Sequence, residues 1–181
     1  MTKKVITAVN IKKLWYGDTS GIAADLTGSA LHALLQTLTE VKNVHGDTWT
    51  LEEAEASKTN YKNQLTGKVY RSDKEMGEVK MNFTLGEYDY SVKADLMGGT
   101  ATDTTWKRAA GKVKIEKILV GLTEDDQYIV IPRADIAARE ATTDKAIGIP
   151  VSGTELEPTV TGVAPEYWFD ASEVVAAGGG Q

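Results

Sequence analysis

Residues 65–99 read LTGKVYRSDKEMGEVKMNFTLGEYDYSVKADLMGG, and this stretch decides the fold class. It opens as a polar strand (Thr66 to Ser72), and Asp73 to Gly77 has the composition of a turn. Glu78 to Leu85 follows, with Val79, Met81, Phe83 and Leu85 on alternate positions, the period of a half-buried antiparallel strand. A helix then begins at Gly86-Glu87. Glu87 and Asp89 suit the positive end of its dipole, Tyr88, Val92 and Leu96 fall four apart on one stripe, and Gly98-Gly99 supplies the stop. A hairpin with an amphipathic helix packed on it predicts a mainly β, α+β chain.

Working outward toward the N-terminus, Val5 to Tyr16 carries Val5, Val9, Ile11 and Trp15 on one parity and predicts a strand ending in a turn at Gly17-Asp18. Thr27 or Ser29 can cap a short helix whose Leu31, Leu34, Leu35 and Leu38 recur at i, i+3, i+4 and i+7. Thr48 to Lys58 reads as a strand despite Glu52, Glu53 and Glu55, its first half fit for burial and its second for solvent or a partner. Taken with Asn60 to Ser72 it can make a long two-stranded ribbon that overhangs the core, either a mobile surface hairpin or a contact with a neighbouring subunit.

Toward the C-terminus, Thr100 to Thr105 reads as a loop pinned by Trp106. Lys112 to Leu122 is a strand whose apolar parity changes from Val113 and Ile115 to Ile118, Val120 and Leu122, as a bulge near Glu116-Lys117 would produce. Gln127 to Ile131 continues to Ala138 across Pro132, which breaks the ladder at an edge or bulge. After a turn at Thr142 to Asp144, Lys145 to Leu156 places Ile147, Ile149 and Val151 on one parity and completes a meander. Tyr167-Trp168-Phe169 is a final strand or an aromatic plug. Residues 1–175 read as one domain, and Ala176 to Gln181 as a disordered tail.

Composition narrows the function classes. A chain of 181 residues with net charge −6 lacks the basic balance of a nucleic-acid reader, and with no cysteine it has no disulfide, thiol nucleophile or Cys-based zinc site. Lys3 and Lys4 precede an apolar run broken by Thr7, Asn10, Lys12 and Lys13, which is neither a signal peptide nor a membrane span. His32 and His45 are scattered. Asp18-Thr19-Ser20-Gly21 has one residue too many for the aspartic-protease triplet and no second copy, so it reads as a turn. Glu52, Glu53 and Glu55 read as a solvated charged run before a glycosidase pair. Lys107, Arg108, Lys112, Lys114 and Lys117 can line one strand face, but without interleaved aromatics they predict no single-strand binding platform. The expectation is no enzyme, and no catalytic, cofactor-binding or metal residue.

The order of elements resembles the major tail tube protein of long-tailed bacteriophages over Gly46 to Phe169. The likeness rests on Gly46-Asp47-Thr48-Trp49 leading into Leu51 to Glu55, on Tyr61 to Tyr70, and on the hairpin and helix down to Leu96-Met97-Gly98-Gly99. It continues through Leu119 to Leu122, Tyr128 to Ala134, Ala146 to Ile149 and Pro165 to Phe169. The resemblance implies an antiparallel β-sandwich or half-barrel with one or two short helices. It implies six-membered rings that stack into a hollow conduit for viral DNA, with a net acidic lumen expected from the overall charge. The implied partners are copies of itself, a tape measure, a terminator, a sheath where the tail has one, and double-stranded DNA in transit, with no membrane and no cofactor. Such a protein is made in the host cytoplasm and resides in the virion tail. Two alternatives stay open: a monomeric β-sandwich that binds carbohydrate or another ligand through Trp49, Trp106 or Trp168, and a tube protein of a type VI secretion apparatus.

Overall fold

The computed structural model describes residues 5–178, and the chain is mainly β with two α-helices and antiparallel pairing throughout. The main sheet runs in the order β2 (Thr39–Glu40), β1 (Lys13–Asp18), β9 (Glu116–Leu122), β10 (Gln127–Ala138), β12 (Ala146–Glu155), β6 (Val79–Leu85) and β3 (Thr50–Glu53). The last three long strands of the chain, β9, β10 and β12, are neighbours, so the expected meander is present. The short β11 (Ala141–Thr143) pairs with the start of β12, and Asp144 and Lys145 make the turn between them with positive φ.

The centre of the sheet is β10, and it forks there. Its start, Gln127 to Val130, pairs with β13 (Tyr167–Asp170), whereas Ala134 to Ala138 on the same flank pairs with β12. Pro132 lies between, where its missing N–H leaves the ladder without a donor. The register to β9 slips by one residue between Ile131 and Ala134, so the bulge falls beside Lys117 but its extra residue is on β10 and not on the Lys112 to Leu122 strand as expected. Pairing of β9 with β1 is unbroken from Lys117 to Leu122. The changed parity of β9 has another cause: Leu119 enters one core while Ile118, Val120 and Leu122 enter the other, because both faces of this strand are covered.

Those two cores lie on opposite faces of the sheet. The first gathers Leu14, Tyr16, Met81, Phe83, Leu85, Leu119, Ile129, Ile131, Ile149 and Val151 around Leu96 of α2 (Tyr90–Met97). The second gathers Trp15, Ile118, Val120, Leu122 and Val130 beneath Leu31 and Leu34 of α1 (Gly28–Leu35). Each fully buried aliphatic or aromatic side chain contributes roughly 1.5–3 kcal/mol relative to exposure, so these cores dominate the stability of the body.

Both helices are capped by side chains. Thr27 Oγ1 accepts from the Ala30 N–H at 3.2 Å, as the spacing predicts, but α1 ends before Leu38 because the chain turns at Gln36 and Thr37. Asp89 Oδ1 accepts from the Val92 N–H at 2.9 Å and from the Ser91 hydroxyl at 2.7 Å. Asp89 is therefore the cap and α2 starts at Tyr90, a turn later than the expected entry at Gly86-Glu87. Gly98 and Gly99, both at positive φ, end it as expected.

Two further expectations are corrected. The N-terminal strand covers Lys13–Asp18 and not Val5 to Tyr16: Val5 and Val9 are exposed, and Gly17-Asp18 is the end of the strand, the reversal falling in a 3₁₀ turn at Thr19–Gly21. Residues 100–107 are a small hairpin, β7 (Thr100–Thr102) with β8 (Thr105–Lys107), where Trp106 does pin the segment by donating to the Gly98 carbonyl at 3.0 Å. Ala176 to Gly178 of the expected tail are exposed, and 179–181 lie outside the described residues.

Candidate assembly surface

The expected hairpin with its reversal at Asp73 to Gly77 is not formed. The structure places the reversal at Asn63 to Gly67, and the polar strand, β5 (Val69–Glu75), pairs with β4 (Ser57–Lys62) instead of with Glu78 to Leu85. Asn63 organises this turn: its N–H donates to the Lys68 carbonyl at 2.8 Å, and its Oδ1 accepts from the Leu65 N–H at 2.8 Å. Gly67 takes φ 69°, a left-handed conformation that costs glycine little.

The two antiparallel pairs are one long hairpin. Glu53 stands opposite Val79, the Ala54 N–H donates to the Glu78 carbonyl at 2.9 Å, and Ser57 stands opposite Glu75 in the same phase. Thr48 to Lys58 is thus two strands, β3 and β4, parted at Ala54 to Ala56. At this joint the chains approach so closely that a Cβ on Gly77 would lie 1.7 Å from the Ala54 carbonyl oxygen. Beyond it the ribbon leaves the sheet. From Ser57 to Leu65 at about 3.3 Å per residue it reaches about 25 Å.

Every residue of β4 is exposed, and β5 is exposed except at half-buried Asp73. The ribbon nevertheless carries apolar side chains: Leu65 at its tip is 95 % exposed, Tyr70 70 % and Met76, at its base, 71 %. Its charge is opposite to that of the body. Residues 57–75 hold five basic and two acidic side chains, a net +3, which leaves −9 on the rest of the chain. Lys58 and Lys74 stand directly opposite each other, and neither they nor Lys62 and Lys68 has a carboxylate partner among the described residues. Arg71 alone on the ribbon is paired, with Asp73 at 3.0 Å.

The body offers an acidic concavity. A groove of about 460 Å³ between β2 and α2 has Tyr16, Leu85 and Val92 in its floor, and Glu40, Glu87, Asp89 and Asp95 against one lysine, Lys42, in its lining. The Tyr16 hydroxyl donates to Asp95 Oδ2 at 3.2 Å, and burial, followed by the charge of Asp95, pushes the phenol well above its usual range. A second acidic cluster surrounds Glu155, whose carboxyl is raised by burial and then by Glu166 and Glu53.

The sheet also ends openly. Among the described residues strand β3 pairs only with β6, which leaves the far edge of Thr50–Glu53 without a partner strand, and β2 covers β1 only at Trp15 and Tyr16. Opposite the first core, the β3–β6 surface is polar: Asn82 Nδ2 donates to Thr50 Oγ1 at 3.1 Å, Thr48 Oγ1 accepts from the Thr84 N–H at 3.0 Å, and Glu52 stands opposite Lys80.

The residues weighed for chemistry in the sequence are dispersed. His32 lies in the last turn of α1, whereas His45 pairs with Asp144 at 2.9 Å. Glu52 and Glu53 are adjacent on β3 and so point to opposite faces, with Glu55 in the break beyond. Asp18 pairs with Lys117 at 2.6 Å at the 3₁₀ turn. Among the described residues no group of three His, Asp or Glu is placed to hold a metal ion. The basic set from Lys107 to Lys117 is divided: Lys117 serves Asp18, Lys114 serves Glu116 at 2.5 Å and Arg108 serves Glu140 at 2.9 Å. Trp49 packs on the first core, Trp106 closes the end of α2 beneath Lys93, and Trp168 lies on β13 beside Glu166, so the three indoles belong to separate elements. The ribbon's reversal at Asn63 to Gly67 replaces the expected turn at Asp73 to Gly77, and with both faces exposed no apolar alternation marks its two strands.

Compared with models of known protein families and with curated proteins, the chain matches none.

Proposed function

We propose that this protein is a structural subunit that assembles with copies of itself, in the manner of the phage tail tube protein that its order of elements resembles. In this reading six subunits close a ring, the rings stack, and the hollow so formed conducts viral DNA. The observation that carries it is the ribbon of β4 and β5: about 25 Å of paired strand with exposed Leu65, Tyr70 and Met76 and no cover among the described residues. The bare edge of β3 adds support, because ring closure removes edges that otherwise invite uncontrolled pairing. The polar surface of β3 and β6, whose Lys80 is balanced by Glu78 and Glu52, suits the wall of a conduit, which must not grip the polyanion that passes it.

The test is sedimentation of the purified chain over a concentration series, with negative-stain microscopy of the same samples. Rings or tubes of constant diameter are expected. A monomer at every concentration, with both ribbon and edge accessible to solvent, overturns the proposal.

A further inference from the structure

We propose that the tip of the ribbon docks into the acidic groove between β2 and α2 of a second copy of this chain. The inference rests on the self-assembly reading above and names the contact that would build it.

Three features of the two surfaces agree. The tip presents one apolar side chain, Leu65, 95 % exposed, between two unpaired cations, Lys62 and Lys68. The groove presents an apolar floor, Leu85 and Val92 beside Tyr16, inside a lining whose carboxylates outnumber its single lysine. An anchor flanked by positive charge thus meets a hydrophobic pocket flanked by negative charge, the arrangement in which a buried apolar contact supplies affinity and the charged rim supplies orientation. Size is compatible as well: about 460 Å³ accommodates a leucine with the backbone of a tight turn, but not the breadth of a whole sheet.

The ribbon's own electrostatics favour the same partner. Lys58 directly opposite Lys74 is unfavourable in an isolated ribbon, since like charges across a strand pair repel. A carboxylate-bearing surface laid along that face relieves the repulsion, and the body of this chain, at −9, is such a surface. Ribbon and groove are different patches of one molecule, so the contact is head-to-tail; it propagates around a ring or along a stack and does not stop at a dimer.

Because the chain has no cysteine, single cysteines report the contact without background. Leu65→Cys protein is mixed with Lys42→Cys protein, Lys42 lining the groove, and in a parallel sample with Asp125→Cys protein, whose position is on the acidic turn between β9 and β10. Under mild oxidation the first mixture is expected to give at least tenfold more mixed disulfide dimer than the second. A second experiment reverses charge: Lys62→Glu/Lys68→Glu and Glu40→Lys/Glu87→Lys proteins should each require at least tenfold higher concentration to assemble, and an equimolar mixture should regain wild-type assembly. Equal cross-linking at Lys42 and Asp125, or failure of the mixture to assemble, in a protein whose wild type forms rings or tubes, overturns this contact and leaves self-assembly standing. A wild type that stays monomeric overturns both.

Discussion

Arg133 lays its guanidinium against the carboxylate of Glu116, Nε to Oε2 at 2.8 Å and Nη2 to Oε1 at 2.9 Å, immediately after the proline that kinks β10. Its third nitrogen donates to the Glu157 carbonyl at 2.8 Å, so one side chain ties β9, β10 and the segment after β12 together.

Acid stability follows from this pair. Hydrogen bonds from Arg133, then from Lys114, hold the Glu116 carboxyl down to about 2 from an ordinary 4.5. Its folded value is the lower one, so the stabilisation is complete above pH 4.5 and is lost as pH falls toward 2. Glu155 has the opposite sign, being raised by burial and by Glu166 and Glu53, so the folded chain gains from its protonation as pH falls from neutral. Urea midpoints across pH 7 to 2 should show a shallower acid limb for Arg133→Met. Glu155→Gln should be more stable than wild type at pH 7, and that advantage should vanish with acidification.

The first turn of α2 depends on one carboxylate. Asp89 accepts from the Val92 amide and from Ser91, and these bonds lower its own titration below the ordinary range. Replacing such a cap with alanine costs about 0.5–2 kcal/mol. Asp89→Ala should lower the urea midpoint accordingly at pH 7, whereas Asp89→Asn, which can still accept, should lose less.

Leu31 is fully buried under the sheet while Leu35, on the same helix, only packs against that cluster. Leu31→Ala should therefore destabilise by about 2–5 kcal/mol, the range for a buried leucine whose surroundings collapse only in part. Leu35→Ala should cost clearly less in the same denaturation series.

Gly77 holds the joint of the long hairpin. A Cβ there would overlap the Ala54 carbonyl oxygen, so Gly77→Ala must push the two chains apart and break the bond from Ala54 N–H to Glu78 O. Hydrogen exchange should quicken in β4 and β5 while β9 and β10 keep their protection. Gly67→Ala, at the tip where a Cβ meets open space but φ is positive, should act only locally, by about 1 kcal/mol.

The sequence announces the elements that pack against something. The leucine stripe of α1, the alternation of β6 and the β-branched runs of β10 and β12 are legible because one face of each is buried and the residues record it. The ribbon misleads for the converse reason. With neither face covered, no alternation marks its strands, and Asp73-Lys74-Glu75-Met76-Gly77 has the composition of a turn while lying in extended chain. The true reversal is concealed by Leu65, an apolar residue at a tip, which is out of place unless something receives it. Strand β9 was legible as a strand but not in its parity, since burial on both faces erases the period.

The order of the main sheet sets a demand on the timing of folding. Apart from the two-residue pairing with β2 at Trp15 and Tyr16, strand β1 finds its mate in β9, Lys13 opposite Leu122, so most of its ladder waits until the chain has been made as far as Leu122. Such long-range closure places the chain among slow folders, on the order of milliseconds to seconds, with raw strand borders on display meanwhile. A cell that makes many copies at once would need either a chaperone to shield those borders or synthesis spaced widely enough that each chain closes before it meets the next.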